Sequence, residues 1–335
     1  MSKHKTTIYR INSDTVKFQC LKDSKALSHL LHFEFNSFVR VIENASYEEF
    51  SIPKKKGGKR VIEVPNEYLM YIQKSLNRDL QAVYYKIKPH NVYGFVQAVK
   101  SEPRVHTVIT NAQNHIGKSY VLNIDLKDFF HSITAIQVRA FFQSNRFNFS
   151  EDLATCLALI CCWKSRLPMG AATSPVVSNL LCLGMDESLA TLANQYNLTY
   201  SRYADDLTFS SYINISEDII TEIREIITDK GFCVNEKKFR LQSKYRQQTV
   251  TGIKVNQKTN VDRRYIRKIR AVLNDIKWNG IEKAAMKHYA LKVADEKAKN
   301  TLILSMTGKI NFVGQVKGKS DLVYNKLRQQ LACIN

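Results

Sequence analysis

The sequence predicts an α+β fold, on three observations. Segments with strand character and segments with helical periodicity are interspersed, without the regular strand–helix alternation of a doubly wound parallel sheet. Two strand pairs are joined by connections short enough for antiparallel hairpins. The chain has 335 residues, 44% hydrophobic and 24% charged, an ordinary globular mix with ample length for a buried core, which excludes disordered, collagen-like and coiled-coil architectures. At about 150 residues per domain, that length fits two domains or one large segmented one.

In chain order, residues 27–42 read as a helical region. Phe50-Ser-Ile-Pro53 and Arg60-Val-Ile-Glu-Val-Pro65 are short runs of β-formers. They are joined by Lys54-Lys-Lys-Gly-Gly-Lys59, where Gly57 and Gly58 tolerate the positive φ of a tight turn. Residues 68–85 return to helical spacing. Tyr120-Val-Leu-Asn-Ile-Asp125 reads as a buried strand and residues 178–193 as one helix. Residues 198–211 read as two strands folded about Ala204-Asp-Asp206. Residues 216–230 form an amphipathic helix, followed by short strands up to Val255. From Asp262 to Lys277, apolar residues at 265/266, 269, 272/273 and 276 turn one helical face inward and leave a basic face outside.

Charge narrows the partners. Lysine and arginine number 50 against 30 acidic residues, a net charge of +20, and residues 254–335 hold 18 basic residues against 6 acidic ones. Such a surplus repels itself in the folded state and is relieved by a polyanion, nucleic acid ahead of an anionic membrane. The longest apolar run, Leu153–Trp163, is about half the ~20 residues that a membrane span requires. Met1-Ser-Lys-His-Lys5 is followed by no apolar stretch, so no secretory signal and no membrane partner are expected. Cysteines 20, 156, 161, 162, 182, 233 and 333 form no CxxC and lie in apolar stretches. Buried free thiols in a reducing cytoplasm are therefore expected, not a structural zinc.

The chemistry rests on carboxylates. Asp205 and Asp206 sit at the tip of the second hairpin, and Asp125 ends a run of β-formers. Adjacent acids repel unless water screens them or a cation lies between them. Three hard oxygen ligands on neighbouring strands suit a pair of Mg²⁺ ions, but a bare Asp-Asp turn is more often simply solvated. Spacing alone leaves both readings open.

Six motifs carry a resemblance that decides between them. Asn123-Ile-Asp-Leu-Lys-Asp-Phe-Phe-His-Ser-Ile133 resembles the first catalytic motif of reverse transcriptases, and Leu167-Pro-Met-Gly-Ala-Ala-Thr-Ser-Pro-Val-Val-Ser-Asn-Leu180 the motif behind the incoming nucleotide. Tyr203-Ala-Asp-Asp206 resembles the signature hairpin. Gly231-Phe-Cys-Val-Asn-Glu-Lys-Lys238 and Thr251-Gly-Ile-Lys-Val-Asn256 resemble the two motifs that follow, and residues 52–65 the fingers hairpin. They occur in the family's order over residues 50–256. Asn111-Ala-Gln-Asn-His115 and Val250-Thr-Gly252 further resemble the NAxxH and VTG patterns of bacterial retron enzymes.

The resemblance implies a right-hand polymerase: fingers, a palm with an antiparallel sheet, and a helical thumb. Residues 1–110 would be the N-terminal region and fingers, 111–255 the palm with interleaved fingers helices, and 256–335 a basic, RNA-binding thumb, with nothing left over for an RNase H, maturase or endonuclease domain. Asp125, Asp205 and Asp206, with the Leu126 carbonyl, would hold two Mg²⁺ ions that activate a primer hydroxyl and neutralise the triphosphate of a dNTP. Lys59 and Arg60 would pair with the triphosphate, and Phe130 would crowd a ribose 2′-hydroxyl. Met169 and Gly170 would lie behind the nucleotide, and Lys238, with the adjacent Lys237 as the alternative, would protonate the leaving pyrophosphate. Asn111, His115, Val250, Thr251 and Gly252 would serve RNA binding, with Tyr265, Trp278, Tyr289 and Phe312 as candidate stacking groups. The implied partners are a structured noncoding RNA, the branched msDNA primed from an internal 2′-hydroxyl of that RNA, and a separate effector protein of an anti-phage system.

The sequence departs from the family pattern at Met169, often glutamine, at Ala172 and His131, often proline, and at Val92-Tyr-Gly-Phe95, where histidine commonly precedes Gly-Phe. No departure removes a carboxylate. The competing readings are another bacterial reverse transcriptase (group II intron-like, diversity-generating or abortive-infection) and a polymerase-like RNA scaffold without synthesis.

Overall fold

A computed structural model of the chain describes residues 7–54, 57–100, 102 and 105–333. Contacts group it into two compact units. One combines the chain up to Thr107 with Leu122–Leu241, the other Val108–Val121 with Gln242 onward. The fingers, palm and thumb segments expected from the sequence divide the chain by role, and stand as a proposal beside these units.

The first unit begins with α1 (Ile8–Gln19), α2 (Ser24–Leu30) and α3 (Phe35–Glu43). The helical region expected over 27–42 is thus broken. His32 adopts a left-handed φ of 63°, and the Glu34 carboxylate caps α3 by accepting from the Asn36 and Ser37 N–H groups. Strands β1 (Tyr47–Pro53) and β2 (Lys59–Pro65) pair antiparallel in the register Phe50↔Ile62 and Ile52↔Arg60. Gly57 and Gly58 take φ of 91° and 82° in the turn, as anticipated; Lys55 and Lys56 lie outside the described residues. Helix α4 (Glu67–Ile87) starts at Asn66, whose side chain accepts from the Leu69 N–H, and buries Leu69, Ile72, Leu76, Leu80 and Val83. After α5 (Val108–Gln113), which belongs to the second unit, come β3 (Tyr120–Asp125), α6 (Ala135–Gln143), α7 (Glu151–Cys161), α8 (Ser174–Leu181) and α9 (Leu183–Gln195).

The single helix expected over 178–193 is this α8–α9 pair, bent by 50°. Cys182 joins the two with ψ of −7°, far from the −42° of a regular helix. By length and composition the bent pair is apolar enough to span a membrane, but among the described residues no single helix is.

Strands β4 (Thr199–Tyr203) and β5 (Asp206–Ser211) pair antiparallel, followed by α10 (Glu217–Asp229), a 3₁₀ turn at Glu236–Lys238 and β6 (Arg240–Ser243). The four-stranded sheet runs in the order β4-β5-β3-β6, with the chain passing between units inside β3 and inside β6.

The second unit adds β7 (Thr249–Val250), β8 (Ile253–Lys254), α11 (Arg263–Tyr289), α12 (Glu296–Lys317) and α13 (Leu322–Ala332). The stripe anticipated on α11 faces inward: Ile269, Leu273 and Ile276 pack with Leu302, Met306, Ile310 and Val313 of α12 and Leu327 of α13. Gly280, at φ 81° and ψ 159°, interrupts α11 in a region open essentially to glycine alone. Of the aromatics singled out as stackers, Tyr265 and Phe312 pack edge-on at 5.9 Å beside the core, whereas Trp278 is 78% exposed. Cys156, Cys161 and Cys182 are buried free thiols as expected. Cys20, Cys233 and Cys333 are exposed instead, because Cys20 and Cys333 fall at helix C-termini and Cys233 in a loop.

Candidate active site

The β4–β5 hairpin is pinned from beneath. Tyr203 pairs with Asp206, leaving Ala204 and Asp205 as the turn, with Ala204 at a left-handed φ of 58°. Arg202 is fully buried: its Nε and Nη2 donate to the Asp186 carboxylate at 2.8 and 2.7 Å, and its Nη1 to the Asn179 side chain at 3.0 Å and the Ala204 carbonyl at 3.1 Å. Tyr200 donates to the same Asp186 at 2.8 Å. Burial lifts the Tyr200 hydroxyl well above its usual pKa, while Asp186 holds Arg202 charged against its own desolvation. On the other side, Tyr93 N–H donates to the Arg202 carbonyl at 2.9 Å, and the space a Cβ would need at Gly94 lies 2.4 Å from Ala204 N. The Val92–Phe95 segment is therefore a buttress of the hairpin.

Asp125, 5% exposed, ends β3 beside this turn: the next N–H, that of Leu126, donates to the Asp205 carbonyl at 3.0 Å. Asn235 donates twice to Asp125, backbone to its carbonyl at 2.8 Å and side chain to Oδ2 at 3.0 Å. The Lys238 ammonium pairs with Oδ1. Lys238, and not Lys237, is the lysine that this turn delivers to the carboxylates. Partial removal from water and then the neighbouring Asp125 raise the Asp205 pKa. Asp206 is pushed up to about 6 by the same loss of water and then by Asp205 and Asp125, with Lys238 pulling the other way on both. Asp206 retains exposed surface, which leaves one face of the cluster accessible.

Among the described residues, no group of three His, Cys, Asp or Glu side chains is arranged to hold a metal ion. The donor set nonetheless suits one. Three carboxylates crowd together until the Asp205 and Asp206 pKa values rise, and an ammonium already occupies part of the position where positive charge is required.

Around the carboxylates, Phe130 is partly exposed between Phe95 at 6.0 Å and Phe129 at 5.4 Å. Lys59 and Arg60 are exposed on β2, and the Arg60 charge reaches Asp205. Gly170 takes φ of 147°, and the space its Cβ would need is 2.4 Å from the Glu63 carbonyl. The close approach expected there is thus to β2.

Glu63 escaped the sequence reading. Only 1% exposed, it accepts from both terminal nitrogens of Arg166 at 3.2 and 2.9 Å, from the Met169 N–H at 2.9 Å and from His131 Nε2 at 3.0 Å. Burial raises its pKa, but these donors outweigh it and hold the carboxyl below its ordinary value. Arg202, Asp186 and Asn235 escaped too. For Arg202 and Asp186 the one available signal was a charged residue at an inward position of an apolar strand or helix, which is common enough to carry little weight alone.

The retron-pattern residues lie elsewhere, in the second unit. Asn111, His115 and Val250 have no exposed surface, so they cannot touch RNA directly in this conformation; any part they take passes through the backbone they position. Burial, and then Lys118, depress the His115 pKa to about 3, leaving it neutral. Thr251, at φ 47°, donates from its hydroxyl to the Val108 carbonyl at 3.1 Å, and Gly252 is exposed at φ 83°.

Comparison with known proteins bears on what these arrangements belong to. The family model described as reverse transcriptase (RNA-dependent DNA polymerase) matches residues 52–255. The chain is 33% identical over 227 residues to the retron Ec73 reverse transcriptase of Escherichia coli, covering 68% of that protein and 62% of this one. This chain is a retron-type member of the reverse transcriptase family. It is also similar to the retron Ec86 reverse transcriptase of Escherichia coli, at 37% identity over 51% of this chain and 53% of that one. To the retron Mx65 reverse transcriptase of Myxococcus xanthus it is 32% identical, over 68% and 55%. The matched stretches thus span about half the length of these last two relatives. The right-hand polymerase fold expected from the motifs is the fold of this family, and the hairpin, β3 and the Asn235–Lys238 turn are where the retron-type chain presents its acids.

Proposed function

We propose that this chain is the RNA-directed DNA polymerase of a retron. In this reading it binds a structured noncoding RNA, primes from an internal 2′-hydroxyl and makes a branched, RNA-linked single-stranded DNA by nucleotidyl transfer. The observation that carries the reading is the cluster of Asp125, Asp205 and Asp206 on adjoining strands, held by Asn235 and Arg202, in a chain of this family.

The three acids, with the Leu126 carbonyl, would hold two Mg²⁺ ions, which supply a more acidic primer hydroxyl and neutralise phosphate charge. Arg60 offers a planar fork and Lys59 a point charge to the triphosphate. Phe130 would crowd a ribose 2′-hydroxyl. Lys238, paired with Asp125 in this structure, would be the group to give a proton to the departing pyrophosphate. The basic face of α11, with exposed Trp278, suits phosphate contacts and stacking on unpaired bases. A cytoplasmic location and a separate effector protein in an anti-phage system complete the proposal.

The test is the nucleic acid that copurifies from cells carrying the native locus, digested with RNase and resolved on a denaturing gel. The expected result is a discrete single-stranded DNA bearing a residual 2′,5′-linked nucleotide, lost in Asp205→Asn. Copurified RNA without DNA, and no Mg²⁺-dependent dNTP incorporation on a generic primer–template, would favour an RNA scaffold. Incorporation without a branch would keep the polymerase and discard the retron product.

A further inference from the structure

We propose that Glu63 is a positioning residue that sets nucleotide affinity and sugar selection in this enzyme, by locking three nucleotide-facing segments to one buried carboxylate. The inference rests on the polymerase reading above. The first segment is β2 itself, which carries Lys59 and Arg60. The second is the turn after Phe130, held because His131 Nε2 lies 3.0 Å from Glu63 Oε2. A carboxylate only accepts, so this nitrogen carries the proton. The third is the loop Arg166–Gly170. Arg166 grips both carboxylate oxygens, the Met169 N–H donates to Oε2, the Glu63 N–H donates back to the Met169 carbonyl at 2.8 Å, and Gly170 closes on the Glu63 carbonyl.

Two departures from the family pattern, His131 and Met169, therefore meet at one carboxylate. A methionine at 169 has no hydrogen-bonding group to orient a nucleotide. What the structure fixes at that position is its backbone, from both sides, against β2. A bidentate arginine–carboxylate pair adds geometric definition as well as energy, and burial at Glu63 strengthens it. An apolar contact of similar volume would stabilise the fold about as well. What the four-donor carboxylate adds is fixed relative placement of Arg60, Phe130 and Gly170.

The experiment compares the full chain with Glu63→Gln, Arg166→Met, the double variant and His131→Asn. Melting temperature, kcat, KM for dNTP and dNTP-over-rNTP selectivity are read on one primer–template. Glu63→Gln is expected to raise the dNTP KM about tenfold and to lower sugar selectivity by a similar factor, short of the hundredfold that a misplacement of about 1 Å can cost. Its kcat stays within about threefold of wild type. Arg166→Met shifts the same parameters, and the double variant adds little to either single one, because both act through one carboxylate. A purely structural role gives the opposite pattern: lower melting temperature and kcat, with KM and selectivity unchanged, and that result overturns the proposal. If Glu63→Gln fails to fold, His131→Asn decides. It removes a single, partly exposed donor, and unchanged sugar selectivity there is equally fatal. A wild-type chain that incorporates no nucleotide overturns the polymerase reading instead, and this one with it.

Discussion

Gly94→Ala asks how tightly the Ala204–Asp205 turn is braced. The added Cβ would stand 2.4 Å from Ala204 N, 3.0 Å from Tyr203 C and 3.2 Å from Ala204 Cα, where ordinary contact begins at 3.4 Å. All three atoms are backbone, so no side chain can swing aside, and about 1 Å of displacement must be found in the turn or its buttress. The turn resists, because Arg202 holds the Ala204 carbonyl and is itself fastened to Asp186 and Asn179. The buttress resists as well, since Asn179 donates to the Gly94 carbonyl at 3.0 Å. Overpacking of this kind costs about 1–3 kcal/mol of stability, and about 1 Å of error at reacting groups costs about a hundredfold in rate. The expected outcome is a folded protein, melting several degrees lower, whose dNTP incorporation falls by roughly 10²-fold. A Gly94→Ala protein with incorporation within twofold of wild type would refute the idea that this segment positions Asp205 and Asp206.

Further outcomes are expected. Phe130→Ala should admit rNTPs at least tenfold more readily while keeping dNTP incorporation, read by single-nucleotide extension; selectivity equal to wild type would remove the ring from the sugar site. Asp186→Asn leaves Arg202 buried without its counter-charge, so chemical denaturation should show a loss of about 3–5 kcal/mol. Asp79 is 6% exposed, and burial, then Asp14, raise its pKa from 3.8 to about 6. A carboxyl whose folded pKa is raised favours the folded state while protonated. Its contribution is therefore full below about pH 3.8 and lost as pH rises through about 6. At about 1.4 kcal/mol per unit the change is about 3 kcal/mol. Asp79→Asn should accordingly stabilise the protein by up to that amount at pH 7–8 and by nothing near pH 4; equal gains at both would exclude titration as the cause.

The sequence made some of this legible and hid the rest for physical reasons. Residues 198–211 show β-formers on either side of Ala204-Asp-Asp206, and that local pattern is enough to locate a hairpin. The inward stripe of α11 is equally local. The bend at Cys182 has only Gly184, two residues on and inside α9, to announce it, since it consists of one relaxed ψ between two apolar helices. The break at His32 is likewise a single backbone choice, enforced by the cap that Glu34 supplies. The carboxylates could be named because they fall in ordered motifs. Glu63 could not, because its donors lie far along the chain in His131, Arg166 and Met169, and nothing near residue 63 advertises them. Lys237 and Lys238 look alike in sequence; a single 3₁₀ turn separates their fates.

The way the chain is threaded also sets an order of events during synthesis. Residues 108–121 leave the ribosome early, yet the core that buries Ala112 and Val121 is completed by residues from Val250 to Leu331. Until those emerge, the apolar residues of that segment wait uncovered while β3, β4 and β5 around Asp125 and Asp205 can already be assembling after it. Long-range closure of this kind is slow and leaves sticky surface exposed in the interval. A ribosome that stops before residue 242 therefore releases a chain with Asp125, Asp205 and Asp206 made and its second core absent. Chaperone demand and truncation sensitivity should track the last quarter of the sequence, far from the acids themselves.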